Sequence, residues 1–378
     1  MKTPRIGAIG GGQLARMMTP PAIHLGLDFK VLAEAEGSSA GLAVSMVGDY
    51  NQIETLQAFA DSVDVITFDH EHVPLDLLRV LEAAGVSVQP PSKALAFAQN
   101  KLHMRKRLSE LNLPMPNWAE IKTPAELDEF ISVNGGVAIL KTPIGGYDGK
   151  GVRVVRSAVD AAEWFSNIND FGGSLLAEEK VNFVGEVAQL SARTPSGQFK
   201  AWPLVETIQE NGVCAVVIAP RPNTSTAMFD EAENIAKIVA EGLGVTGVLA
   251  VEMFVTAEGR LLINELAMRP HNSGHFSIEG STTSQFEQHL RAVLDLPLGD
   301  TAPKAAWSVM INLLGVDSQN TFVGHFEKAM QLHPRAKLHT YGKGARAGRK
   351  MGHVTVVSDD LDFALAEAKA AAAVLLQG

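Results

Sequence analysis

"RIGAIGGGQLA", residues 5 to 15, is an apolar run that meets three consecutive glycines and then turns helical. Few features restrict a fold more. A buried strand that ends on glycines and hands over to a helix must cross back to lie beside its first strand, which predicts a parallel sheet covered by helices. The rhythm continues for about ninety residues. "GQLARMMTPPAIHLG" reads as helix up to the proline pair, "DFKVLAEA" as a second strand, "QIETLQAFAD" as helix and "VDVITFDHEHV" as a third strand. An α/β domain over residues 1–95 is expected.

Pro90 and Pro91 break that pattern, and Ser92 can cap a single helix through "KALAFAQNKLHMRKRLSELN". A second proline break, "LPMPNW", precedes a small α+β unit with the helix "TPAELDEFISV" and the strands "VAILKTP", "GVRVVRS" and "SLLAEEKV". Residues 183–270 are strand-rich, interrupted by one amphipathic helix, "MFDEAENIAKIVAEGLG", that ends on glycines. From Ala305 onward come an apolar strand, a basic glycine-rich loop, a further strand and an alanine-rich helix.

The formal charge of -10 over 378 residues argues against nucleic acid or an anionic membrane as a partner, since both need a cationic face. No apolar stretch is long enough to cross a bilayer or to form a signal-peptide core. The single cysteine, Cys214, excludes an internal disulfide, reads as a core thiol and fits a reducing cytoplasm.

"GVLAVEMFVTAEGRLLINEL" reads as a β-hairpin turning at "AEGR". That register pairs Thr256 with Leu261, Phe254 with Ile263 and Glu252 with Glu265, placing two carboxylates about 5 Å apart. Like charges so placed are destabilising unless neutralised. With Asn264 beside them, they match the hard-oxygen preference of Mg²⁺, which completes its shell with water and phosphate. A one-residue slip would instead leave two surface acids.

"KTPIGGYDGKG", residues 141–151, is a glycine loop between strands without the Walker spacing. Its backbone N–H groups can close over phosphate, and Lys141 and Lys101 can reach the same oxygens. "IGGGQLA" also matches G-x-G-x-x-A with Glu34 at the end of the second strand, so a nicotinamide dinucleotide stays open here. "YGKGARAGRKMGHV" gathers Lys343, Arg346, Arg349, Lys350 and His353, which suits a phosphate monoester. His70 and His72 would share a strand face flanking Glu71, with no further ligands to support zinc.

"GGGQLARM", "TFDHEHV", "QNKLHMR", "KTPIGGYDGKG", "AEEKVNFVGEV", "LAVEMF", "INELAMRPHNSGH" and "YGKGARAGRKMGH" occur in an order that resembles the ATP-grasp carboxylases of purine synthesis, the N5-carboxyaminoimidazole ribonucleotide synthases. The likeness covers nearly the whole chain. It implies a Rossmann-like N-terminal domain (1–95), an ATP-grasp domain (96–300) with a lid at about 115–182, and a C-terminal domain (301–378). It further implies ATP-dependent carboxylation of 5-aminoimidazole ribonucleotide by bicarbonate through carboxyphosphate, in a homodimer. By motif, Lys101, Lys141, Gly146, Lys150, Glu178, Lys180, Val181, Glu186 and Asn264 would bind ATP, and Glu252 and Glu265 would bind Mg²⁺. Gln13, Leu14, Glu71, Tyr147, Asp148, Arg269, Lys343, Arg349 and Lys350 would meet the ribonucleotide or carboxyphosphate. Arg269, Asp148 and Lys343 would be catalytic. Gln209 stands where the family has a histidine. A formate-using glycinamide ribonucleotide transformylase is the near alternative.

Overall fold

The computed structural model describes residues 3–145, 151–210, 212–315 and 322–377. Its first unit is a five-stranded parallel sheet in the order Val44–Val47, Asp28–Ala33, Arg5–Ile9, Val65–Phe68, Ser87–Val88. Its two edge strands escape sequence reading. Val44–Val47 buries none of its residues fully, and Ser87–Val88 is only two residues long.

Two local expectations change. The first helix, Gln13–His24, runs through Pro20 and Pro21. Each proline removes one intrahelical N–H donor, while the buried face continues past them from Leu14 and Met18 to Ala22 and packs the helix in place. The third strand stops at Phe68, so His70 and His72 lie on a bend, their rings stacked 5.3 Å apart.

The helix expected from Ser92 breaks in two. Ser92–Gln99 ends at Asn100, which is extended (φ -137°, ψ 108°) and whose side chain accepts the N–H groups of Leu102 and His103. That cap starts the helix Lys101–Glu110 afresh. Lys101 thereby opens a helix instead of sitting in the middle of one.

A four-stranded antiparallel sheet, ordered Trp118–Ile121, Leu175–Glu179, Ala138–Lys141, Val152–Val155, forms the small unit. Thr123 and Glu126 close a capping box on its helix Pro124–Val133. The large sheet runs Leu261–Ala267, Gly247–Thr256, Phe183–Arg193, Val205–Glu210, Val213–Ala219, Trp307–Leu314, Lys350–Ser358, Lys337–Thr340, with Phe199–Ala201 added beside Phe183–Arg193. The chain beyond 301 therefore extends this sheet, pairing Trp307–Leu314 with Val213–Ala219.

One helix joins the layers. Gln285–Val293 is buried along most of its length, including Gln285, Gln288 and His289. His289 Nε2 lies 2.7 Å from Thr67 Oγ1 in the parallel sheet, and its Nδ1 accepts the Val248 N–H at 3.0 Å in the large one.

Candidate active site

Glu252 and Glu265 are direct partners across the hairpin of Gly247–Thr256 and Leu261–Ala267. The register around them is not the expected one: Met253 faces Ile263, Phe254 faces Leu262 and Val255 faces Leu261. The Thr256 N–H bonds to the Arg260 carbonyl at 3.0 Å, so the turn holds three residues, with Gly259 at φ +81°. A left-handed glycine is what such a short turn requires. Asn264 is then the extra residue of a β-bulge, and the bulge restores the pairing of the two acids.

A bulge strips carbonyls of their ladder partners, and Arg105 takes them. Its guanidinium donates to Ile263 O at 3.0 Å and Asn264 O at 2.7 Å, and its Nε to Glu178 Oε1 at 2.6 Å. Arg105 is completely buried. Lys141 Nζ lies 2.8 Å from the other Glu178 oxygen and donates to Asn264 Oδ1 at 3.1 Å. Burial alone would raise the Glu178 carboxyl, but Arg105 and Lys141 outweigh it and hold its pKa below the ordinary value. Glu178, expected to line an ATP pocket, directs its carboxylate at these two cations.

The hairpin acids experience the opposite. Burial first, and the Glu265 charge second, push the Glu252 carboxyl up to about 7. Glu186 adds to this from the neighbouring strand, where Ala188 faces Glu252 and Glu186 faces Phe254. Lys350 and Arg269 oppose it. Burial lowers the Lys101 pKa, and the nearby Glu265 partly restores it. His271 Nε2 comes within 4.0 Å of Glu252 Oε1, and burial, with Arg269 and Lys350 nearby, keeps that imidazole neutral.

A second cluster lies where the first glycine loop meets the C-terminal residues. Lys343 Nζ donates to Gln13 Oε1 at 2.6 Å and stands over the Tyr341 ring. Glu71 accepts the Met268 N–H at 2.5 Å and approaches Arg269 Nε at 3.4 Å. Leu14, by contrast, is 5% exposed among Ile6, Ala8 and Tyr341, so its side chain packs. Lys180 is exposed, Val181 half-buried, and Arg349 donates to Gly344 O at 3.1 Å. Gly146, Tyr147, Asp148 and Lys150 lie outside the described residues.

The dinucleotide-like loop is already engaged by the protein itself. Glu34 accepts the Gly11 N–H at 3.1 Å and pairs with His70 at 3.1 Å; that His70 bond, with help from Gly11, lowers its pKa to about 2 against the effect of burial. Asp69 accepts the Ala15 N–H at 2.7 Å. A Cβ on Gly12 would stand 1.9 Å from Asp69 Oδ2, so this glycine serves a close side-chain approach.

Family models match in three consecutive blocks: a ribonucleotide synthetase preATP-grasp domain over residues 1–99, an ATP-grasp domain over 106–286, and a phosphoribosylaminoimidazole carboxylase C-terminal domain over 308–367. The N5-carboxyaminoimidazole ribonucleotide synthase of Corynebacterium ammoniagenes is 44% identical over 376 residues, covering 98% of this chain and 91% of that one. The chain belongs to this ATP-grasp family. The enzyme of the same name from Mycobacterium tuberculosis is also 44% identical, over 363 residues covering 95% and 84%. Among solved structures, the synthetase of Thermus thermophilus superposes with a TM-score of 0.87 at 38% identity, covering 99% of both chains. The Aspergillus clavatus synthase, in complex with ADP and 5-aminoimidazole ribonucleotide, gives 0.88 at 32% identity, covering 99% and 98%. The ATP-grasp architecture anticipated from the motifs, with its N-terminal parallel sheet and C-terminal extension, is thereby established.

Magnesium fits the hairpin of this family member. Two opposed carboxylates and an amide oxygen offer hard donors, and the Glu265 charge adds to burial in pushing the Glu252 carboxyl up. Among the described residues no group of three or more His, Cys, Asp or Glu side chains could hold a metal. One or two carboxylates are what Mg²⁺ ordinarily takes from a protein, with phosphate and water supplying the rest of its shell.

Sequence reasoning missed Arg105, His271 and Gln285. Arg105 had a signal: it lies one helical turn after Lys101, in the same "KLHMR" segment. His271 sat inside the "RPHNSGH" motif without a partner to mark it. Gln285 had no signal at all, since buried glutamine in a helix reads like any polar surface residue.

Proposed function

We propose that this chain carboxylates 5-aminoimidazole ribonucleotide with bicarbonate at the expense of ATP, giving the N5-carboxyamino product, ADP and phosphate. The observation that carries it is the Glu252–Glu265 pair opposed on the bulged hairpin, beside the Arg105–Glu178–Lys141–Asn264 network. In the chemistry proposed, bicarbonate oxygen attacks the γ-phosphorus of ATP and ADP leaves. The ribonucleotide's exocyclic amine then attacks the carboxyphosphate carbon, expelling inorganic phosphate and losing a proton.

Magnesium, when bound, would neutralise phosphate charge, held by Glu252 and Glu265. Lys101 and Lys141 supply fixed cations for the triphosphate, and Glu178, held by Arg105, orients Lys141. Gly146, Lys150, Glu178, Lys180, Val181, Glu186 and Asn264 complete the ATP-binding set. Arg269, oriented by Glu71, is the donor for charge developing on carboxyphosphate. Lys343 with Gln13, and Arg349 with Lys350, suit the ribonucleotide phosphate, with Tyr147 and Asp148 as further contacts and the Leu14 backbone nearby. Residues 1–95, 96–300 and 301–378 act as three domains, with a lid at about 115–182, in a cytoplasmic homodimer.

The test is ADP release from Mg²⁺-ATP with and without the ribonucleotide, in bicarbonate and then in formate. Turnover that requires both ribonucleotide and bicarbonate is expected. Turnover in formate with glycinamide ribonucleotide, or none in any combination from folded protein, would overturn the proposal.

A further inference from the structure

Two glutamines one helical turn apart, Gln285 and Gln288, are both completely buried, and each grips one backbone residue by its N–H and its C=O. Gln288 Oε1 accepts the Gly299 N–H at 2.7 Å, and its Nε2 donates to Gly299 O at 3.0 Å. Gln285 does the same to His271, with Oε1 accepting the N–H at 2.9 Å and Nε2 donating to the carbonyl at 2.8 Å. The same Nε2 lies 2.8 Å from His275 Nδ1. Gly299 lies in a connecting loop, whereas His271 faces Glu252.

The ring of His271 is held as well. Ser273 Oγ lies 2.9 Å from its Nδ1, and the Ser273 N–H points at the same nitrogen at 3.4 Å. A ring nitrogen that accepts a backbone N–H carries no proton of its own, so the proton of the neutral imidazole sits on Nε2. Nε2 is the atom 4.0 Å from Glu252 Oε1. The clamp itself is braced: the Gln285 N–H donates to Ser277 Oγ at 2.9 Å, and Ser277 Oγ donates to Gly274 O at 2.6 Å. A Cβ on Gly274 would fall 2.4 Å from Gln285 Oε1, so only glycine lets the loop come this close.

We infer that Gln285 and Ser273 are positioning residues for the carboxylation reaction: Gln285 sets the backbone of His271, Ser273 sets its ring, and together they aim the Nε2–H at the Glu252 edge of the site. The inference rests on the function proposed above and deepens it. A two-point backbone clamp is rigid, and small displacements at a reacting site are amplified; a shift of about 1 Å can lower a rate on the order of a hundredfold.

The two glutamines supply a matched experiment. Gln285→Met and Gln288→Met each remove a two-point backbone clamp from the same helix at the same burial, and Gln285→Met also removes the contact with His275. Gln285→Met is expected to lower kcat for ribonucleotide-dependent ADP release by about a hundredfold, with the KM for ATP changed less than about twofold. Gln288→Met is expected to lose comparable thermal stability and keep kcat. Ser273→Ala, a small truncation, is expected to fold and lose about tenfold in kcat.

Folded Gln285→Met with wild-type kcat would overturn the inference. Equal losses of kcat in both glutamine variants would also overturn it, since they would mean that the helix merely needs its hydrogen bonds. Should Gln285→Met fail to fold, Ser273→Ala decides: wild-type kcat there overturns the aiming of His271. Absence of bicarbonate-dependent turnover in the unsubstituted chain would remove the function proposed above and this inference with it. Turnover in the unsubstituted chain that the variants do not change would remove the inference alone.

Discussion

Glu178 is buried and Glu252 half-buried, and the protein treats these two acids oppositely. Glu178 meets Arg105 at 2.6 Å and Lys141 at 2.8 Å, and its pKa falls. Glu252 meets another carboxylate across the hairpin, and its pKa rises to about 7. Burial pushes both upward, so the partner's sign decides the outcome. A satisfied acid is part of the scaffold, here one that orients Lys141. An acid left opposite its own kind marks a place where charge is brought in from outside.

The largest effect that could break this contrast is on stability. Glu178→Gln leaves Arg105 and Lys141 buried without an anion, and should destabilise the protein by about 3–5 kcal/mol. Denaturant unfolding measures it, and a loss below about 1 kcal/mol would refute the scaffold role. Next, Glu265→Gln should lower Mg²⁺-ATP turnover by roughly 10²–10³-fold while the protein stays folded. A steady-state ADP assay reads this, and activity near wild type would dissociate the pair from the chemistry.

The two acids also predict pH dependences of opposite sign. Glu252 has a raised pKa, so its folded form binds the proton more tightly, and its contribution is fully present below the ordinary 4.5 and lost as pH rises through about 7. Glu178 has a lowered pKa, so its contribution is present above 4.5 and lost as pH falls through the folded value. Melting temperatures between about pH 4 and 8, without metal or nucleotide, should lose the Glu252 contribution between the ordinary 4.5 and about 7, and level off above that. Glu252→Gln should abolish that loss; an unchanged profile would mean that Glu252 is not raised. The smallest effect expected is in the same variant at about pH 8, where removal of the like-charge repulsion should stabilise the unliganded protein by about 1 kcal/mol.

Much of this contrast was readable beforehand, though not for every reason. The acid pair came from counting a four-residue turn in an ideal hairpin, whereas the chain uses three residues and a bulge at Asn264. The two departures cancel at Glu265 but not at Phe254, which faces Leu262 instead of Ile263. The pairing of Glu178 with Arg105 was hidden, since Arg105 lies 73 residues away along the chain. The break at Asn100 was equally hidden, since "QNKLHM" has helical periodicity and only a backbone turn shows the cap. His271 and its clamp were invisible because Gln285 is a core residue of polar type.

By itself, the sequence determined the alternation that makes the first sheet parallel, the strand-rich middle, the placement of acids at 252 and 265, and the family, because periodicity and motif order are local properties of the chain. Tertiary structure alone decided that Glu178 is paired with two cations and Glu252 set against Glu265, and which glycine loop is closed by its own protein. Those outcomes depend on the sign and distance of groups that arrive from other elements. Coulomb energy and desolvation are set by neighbours in space, and one-dimensional order does not specify them.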